Sequence, residues 1–103
     1  MKGMGNLQKM LSQAKAMQDR IQRESAEMRE EGSSGGGMVT VVLDGLKSLI
    51  SIKIDPEVVN KDDVEMLQDL IVAAFNDANT KVDEELSRKL GTLGAGLKIP
   101  GLT

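Results

Sequence analysis

From Leu7 to Glu31 the chain carries a helical pattern with no proline and no interior glycine, and this uninterrupted length constrains the rest. At about 1.5 Å per residue the stretch spans roughly 37 Å. A 100-residue domain has a radius of gyration of only about 13 Å. The whole chain has 103 residues, enough for one domain, so this helix cannot lie wholly on its own core. It must project, or pack against a second copy. Leu7, Ala14, Ile21 and Met28 recur every seven residues, and Met10 and Met17 fill the second heptad position until Glu24 breaks it. These six apolar residues form a coiled-coil-like seam, expected to meet a partner copy. Methionine at helical spacing fits that seam better than an adaptable ligand surface.

Gly32-Ser-Ser-Gly-Gly-Gly37 ends the helical pattern and is expected to act as a hinge. Met38 to Leu43 is a strand by its β-branched content. Asp44-Gly45 signals a hairpin turn, and Leu49 to Ile54 returns. Ile50, Ile52 and Ile54 share one face and Ser51 and Lys53 the other, so one buried sheet face is expected. Asp55 precedes Pro56 as a helix cap, and Asn60 with Asp63 makes a second, capping-box-like start. An i, i+3/i+4 stripe follows: Val64, Leu67, Ile71, Ala74, Phe75, Ala78, Val82, Leu86 and Leu90. Gly91 is the expected C-cap, with 91–103 a flexible tail. The order helix, hairpin, helix gives an α+β class with a small antiparallel sheet of two or three strands.

Composition narrows the chemistry. There is no Cys and no His, so thiol catalysis, thiolate metal sites and disulfides are excluded. No apolar run approaches the roughly 18 residues of a membrane helix, and polar residues interrupt the N-terminus where a signal peptide would be apolar. The net charge is −3, which on its own argues against nucleic-acid binding. The distribution matters more than the sum. Residues 54–85 hold two bases and ten acids, whereas residues 86–103 hold three bases and no acid. Residues 1–31 hold six bases and five acids.

Each candidate site competes with a plainer reading. The glycine run lacks the Lys-Ser/Thr ending of a phosphate loop and leads into a strand, so it is a connector. Asp55, Glu57, Asp62, Asp63, Glu65 and Asp69 lack Ca²⁺-loop spacing, and helix starts favour carboxylates anyway. Without a nucleophile and base pair, an enzyme is not expected, nor is a cofactor or a small-molecule substrate. On the first helix, Lys2, Lys9, Arg20 and Arg23 fall within about 60° of one another, away from the apolar stripe. Arg20–Glu24 and Arg23–Glu27 are i, i+4 pairs that would partly neutralise this face. Read from the residues alone, a solvated salt-bridged face is the plainer account, with a protein-interaction module built on the apolar seam and tail as the alternative function. Arg88, Lys89 and Lys98 form a second basic set, the first two in what would be the last turn of the second helix, where cations suit the dipole.

The segment Ile54-Asp-Pro-Glu57, the helix E-M-L-x-D-L-I-x-A-A-x-N-D-A from Glu65 to Ala78, and the Gly-rich break together resemble the YbaB/EbfC family of small bacterial nucleoid-associated DNA-binding proteins. The resemblance covers nearly the whole chain. It implies a tweezer-like homodimer in the bacterial cytoplasm, with long helices projecting from a shared β core to engage double-stranded DNA. It also implies a further strand ahead of the glycines, from residues near Arg29 to Ser34. With DNA as the partner, the contacts expected from the charge pattern are Lys2, Lys9, Lys15, Arg20, Arg23, Arg88, Lys89 and Lys98, acting mainly on phosphates. Many members are acidic overall, so the charge of −3 is compatible with it.

Overall fold

A computed structural model of the chain describes residues 2–97, with side chains over 5–91. Helix α1 (Lys2–Glu27) is followed by strand β1 (Glu30–Ser34), a 3₁₀ turn (Gly35–Gly37), and strands β2 (Val39–Leu43) and β3 (Leu49–Ile54). A second 3₁₀ turn (Pro56–Val58) leads into helix α2 (Val64–Leu97). The three strands form one antiparallel sheet in the order β1-β2-β3. The fold is therefore α+β, with the third strand that the family resemblance implies.

The expected hinge is largely a strand. Gly32, Ser33 and Ser34 pair with Val41, Thr40 and Val39. The chain reverses only at Gly35–Gly37, where all three glycines adopt positive φ, a region that side-chain-bearing residues avoid. Gly32 has a different role. A Cβ there would lie 2.1 Å from the Ala78 nitrogen and 2.4 Å from the Ala74 carbonyl oxygen. The bare glycine and the two alanines let α2 approach the sheet backbone directly.

The core lies between α2 and β2. Val39, Val41 and Leu43 point from β2 toward Ala74, Ala78 and Val82 of α2, and all six are fully buried. Val58 joins them from the second 3₁₀ turn. α2 packs on β1 and β2 and has no comparable contact with β3. The outer edge of β1 is closed by α2 itself. The Ser33 N–H donates to the Asp77 carboxylate (3.0 Å), Lys81 donates to the Glu31 carbonyl (3.1 Å), and Ser34 Oγ donates to the Leu70 carbonyl (2.5 Å). Lys81 also pairs with Asp77 at 3.2 Å.

Several expectations are corrected. α1 stops at Glu27 rather than Glu31. Its end is capped by Arg29, whose guanidinium donates to the Ala26 and Met28 carbonyls, and by the Gly45 N–H donating to Ser25 O at 2.8 Å. Met28 therefore lies beyond the helix and is buried within its own chain. Gly45 serves this junction, since a Cβ would lie 2.8 Å from Ser25 O. The turn itself is held by Asp44, which accepts from the Leu46 and Ser48 N–H groups (both 2.9 Å), and it is Lys47 that takes the positive φ. The isoleucine face of β3 is covered only at Ile54, which packs on the core; Ile50 is 46% and Ile52 42% exposed, because β3 is the edge that α2 leaves uncovered. A bulge between Val42 and Leu43 also breaks the alternation at Ile50. Asp63, not Asn60, caps α2, accepting from the Met66 N–H, while Asn60 closes a local turn onto the Asp62 N–H. Asp55 caps the Pro56 turn as expected, accepting from the Glu57 N–H. Gly91 is no cap, since α2 continues to Leu97. Arg88 and Lys89 consequently sit inside the helix rather than in its last turn.

Gly32→Ala should destabilise the fold by about 3 kcal/mol, the upper end of overpacking effects, because both clashing atoms are helix backbone. Urea unfolding followed by circular dichroism measures it. The Ser33 N–H and then Lys81 hold the Asp77 carboxyl below its usual range. A depressed pKa gives stability that is complete above the unfolded-state value and lost as pH falls through the folded one. The stability gap between wild type and Asp77→Asn should therefore shrink on acidification below about pH 4, in the same unfolding assay.

Candidate functional site

α1 extends from the body as a nearly bare rod. Every described side chain from Gly5 to Glu24 is exposed, and α1 has no extended contact with a strand or with α2. The molecule measures 73 × 28 × 16 Å with a radius of gyration of 20.2 Å, far above the roughly 13 Å of a compact domain of this length. The Ser25–Gly45 hydrogen bond and buried Met28 anchor α1 at its C-terminal end.

Of the basic residues expected on α1, Lys9, Lys15, Arg20 and Arg23 all reach solvent. Among the described residues, Lys9, Lys15 and Arg23 have no ion-pair partner; only Arg20 is paired, with Glu24 at 3.1 Å. The expected Arg23–Glu27 pair does not form. From residue 5 to residue 18 the helix carries Lys9 and Lys15 and no acid. Lys9 lies about 24 Å along the helix axis from the Ser25 anchor. The screening length at physiological salt is about 8 Å, so the acidic body does not cancel the field of the projecting helix. The side chain of Lys2 is outside the described set.

The second basic set is less available. Arg88 Nη2 pairs with Glu85 Oε1 at 2.5 Å. That bond holds the Glu85 carboxyl below its usual range and raises the Arg88 guanidinium. Lys89 is exposed without an ion-pair partner among the described residues, and Lys98 lies outside them.

Apolar surface stands open on α1 and on the β3 side of the body. On α1, Leu7, Met10, Met17 and Ile21 of the expected seam are exposed, and Leu11 adds to them. The other lies on β3 and α2 and was missed as a site in the sequence. Leu49, Ile50 and Ile52 on β3 are exposed, and on α2 Val72 is exposed and Phe75 half-buried. By helical geometry Val72 and Phe75 are turned away from the Asp77–Lys81 side that closes β1. The alternating isoleucines marked a buried face; the missing information was which strand α2 would leave at the edge.

The acidic residues do not converge. Among the described residues no group of three or more Asp or Glu side chains is arranged to hold a metal ion. Asp55 and Asp63 are occupied as caps. Among the described residues no helix is long and apolar enough to cross a membrane.

Comparison with known proteins places the chain in a class. Residues 3–97 match the YbaB/EbfC DNA-binding family, and the chain belongs to that family. It is 53% identical over 103 residues to a nucleoid-associated protein of Geobacillus kaustophilus, covering 97% of this chain and 95% of the relative. It is 48% identical over 95 residues to a nucleoid-associated protein of Syntrophobacter fumaroxidans, covering 89% and 86%. The crystal structure of an uncharacterized Helicobacter pylori protein shares the fold, with a TM-score of 0.69 and 26% identity over 84% of this chain and 91% of that one. The family is one of DNA-binding proteins and not a class of enzymes.

Proposed function

We propose that the protein binds double-stranded DNA as a homodimer and serves nucleoid organisation or gene regulation in the bacterial cytoplasm. The observation that carries this reading is the projecting α1, exposed from Gly5 to Glu24, on which Lys9, Lys15 and Arg23 have no ion-pair partner among the described residues. Family membership and relatives named as nucleoid-associated proteins support it. Lys9, Lys15, Arg20 and Arg23, with Lys2 where the helix begins, contact phosphates and release counterions, a mechanism that needs no base-specific partner. Lys89, Arg88 and Lys98 on the far part of the chain are secondary contacts, with Arg88 restrained by Glu85. The only aromatic is Phe75, on α2, so base stacking has no part in binding by α1.

The dimer in this reading closes through the β3 flank. Leu49, Ile50, Ile52 and Val72 are too apolar to face water as one patch, and a two-fold contact covers the same surface on both copies. That contact also shields the one sheet edge that α2 does not close. The α1 stripe of Leu7, Met10, Ala14, Met17 and Ile21 is then a further self-contact, while Met28 is used inside the chain.

Anisotropy titrations of a short duplex across a salt series test the DNA reading. Log affinity should fall with log salt, with a slope of about −7 if four bases from each of two subunits engage. Changing Lys9, Arg20 and Arg23 together to Glu should abolish binding at physiological salt. Salt-independent binding, or full binding by that variant, would sink the reading and favour a protein-interaction module. For the dimer, light scattering should give twice the chain mass for wild type and the single-chain mass for Ile52→Lys, with the helical circular dichroism of both intact.

A further inference from the structure

A shallow, open groove of about 480 Å³ lies along α2, away from Val72 and Phe75 and bordering the core at half-buried Leu70. Met66, Leu70 and Ala73 line it with apolar surface, and Asp63, Glu65 and Asp69 stand beside them. By helical geometry it lies about 140° round α2 from Val72 and Phe75, so a dimer closed through β3 leaves both of its grooves open. Asp63 is engaged as the cap of α2, but Glu65 and Asp69 have no ion-pair partner among the described residues.

One surface on the same chain has the complementary chemistry. Leu7, Met10, Leu11, Ala14 and Met17 form an exposed apolar stripe on α1, roughly 120° wide. Lys15 follows Leu11 by about 40° round the helix, and no acid occurs on this part of α1. Lys9, Arg20 and Arg23 point to the other side. A helix laid stripe-down in an apolar groove with carboxylates beside it buries the stripe and sets Lys15 against them. Its remaining bases stay outward. α1 cannot reach the groove of its own chain, because it is anchored at Ser25 and makes no extended contact with α2. The occupant is therefore another copy.

We infer that the α2 groove at Met66, Leu70 and Ala73 receives the apolar stripe of α1 from a neighbouring dimer, so that dimers assemble side by side on DNA. The contact joins two different surfaces. It therefore does not close on itself as a two-fold contact does, and repeats along a line. Because α1 offers its stripe and Lys15 to the groove and Lys9, Arg20 and Arg23 to phosphates from the other side, assembly and DNA binding reinforce one another. The inference rests on the proposed dimer as its repeating unit and on DNA binding through α1.

The test compares the full-length protein on a short duplex, which holds one dimer, and on a long duplex that holds many. Wild type should bind the long duplex cooperatively, with a sigmoidal isotherm, and the short one without cooperativity. Met66→Glu and Asp69→Lys, both on exposed α2 positions, should bind the short duplex like wild type and lose cooperativity on the long one, with half-saturation shifted roughly tenfold, as for loss of a close charge pair. Non-cooperative wild-type binding, or undiminished cooperativity in Met66→Glu, would overturn the inference while normal short-duplex binding leaves the DNA reading standing. Failure to bind the short duplex is the separate failure of that reading. Sedimentation without DNA at low salt then decides the groove contact: species larger than a dimer that Met66→Glu abolishes support it, and their absence rejects it.

Discussion

The close approach of α2 to β1 at Gly32 is the contact on which the rest of the structure depends. With no side chain at Gly32 and only methyl groups at Ala74 and Ala78, the helix sits directly on the strand backbone. At that depth Asp77 and Lys81 reach the outer edge of β1 and satisfy its backbone groups. One edge of a three-stranded sheet is thereby closed by a helix of the same chain, and by the same placement the opposite edge is left open. A helix centred over β2 and β3 would have buried the isoleucines and exposed β1.

The asymmetry sets what the subunit can do. Within one chain the fully buried core is small, supplied by three residues of β2 and three of α2 with Val58 beneath. Burying a Val or Leu side chain contributes about 1.5–3 kcal/mol, so such a core gains appreciably from covering the β3 flank. The same economy applies to α1, which is tied to the body at one end by Ser25–Gly45 and Met28 and otherwise spends its length in solvent. A rod of this kind brings charge well away from an acidic body, and screening by salt keeps the two apart electrostatically. Net charge therefore says little about the field of α1, which depends on where each charge sits along the fold.

The elements were largely legible in the sequence because their signals are local. Heptad spacing marks α1, β-branched runs mark β2 and β3, and the stripe from Val64 to Leu86 marks α2. Asp55-Pro56 gave its capped turn for the same reason, an oxygen placed two residues before a backbone N–H. The misreadings occurred where a local signal met a long-range contact. Gly32 looked like a breaker and is a point of close packing; Gly91 looked like a cap and lies inside a helix; Gly45 is the expected turn residue and also makes room for the end of α1. Strand β1, Glu-Glu-Gly-Ser-Ser, has almost no β propensity of its own and exists because β2 and α2 hold it on both sides. Its only forewarning was the family resemblance.

By itself, then, the sequence determined the class of fold, the projecting helix, and the basic side chains of α1, all consequences of period, chain length and residue type. The tertiary structure decided which of those side chains are unpaired, which strand is the exposed edge, and where apolar surface is left uncovered. These depend on where α2 comes to rest across the sheet. That position is set by the fit of Gly32 against Ala74 and Ala78, residues more than 40 apart in the chain and brought together only by folding.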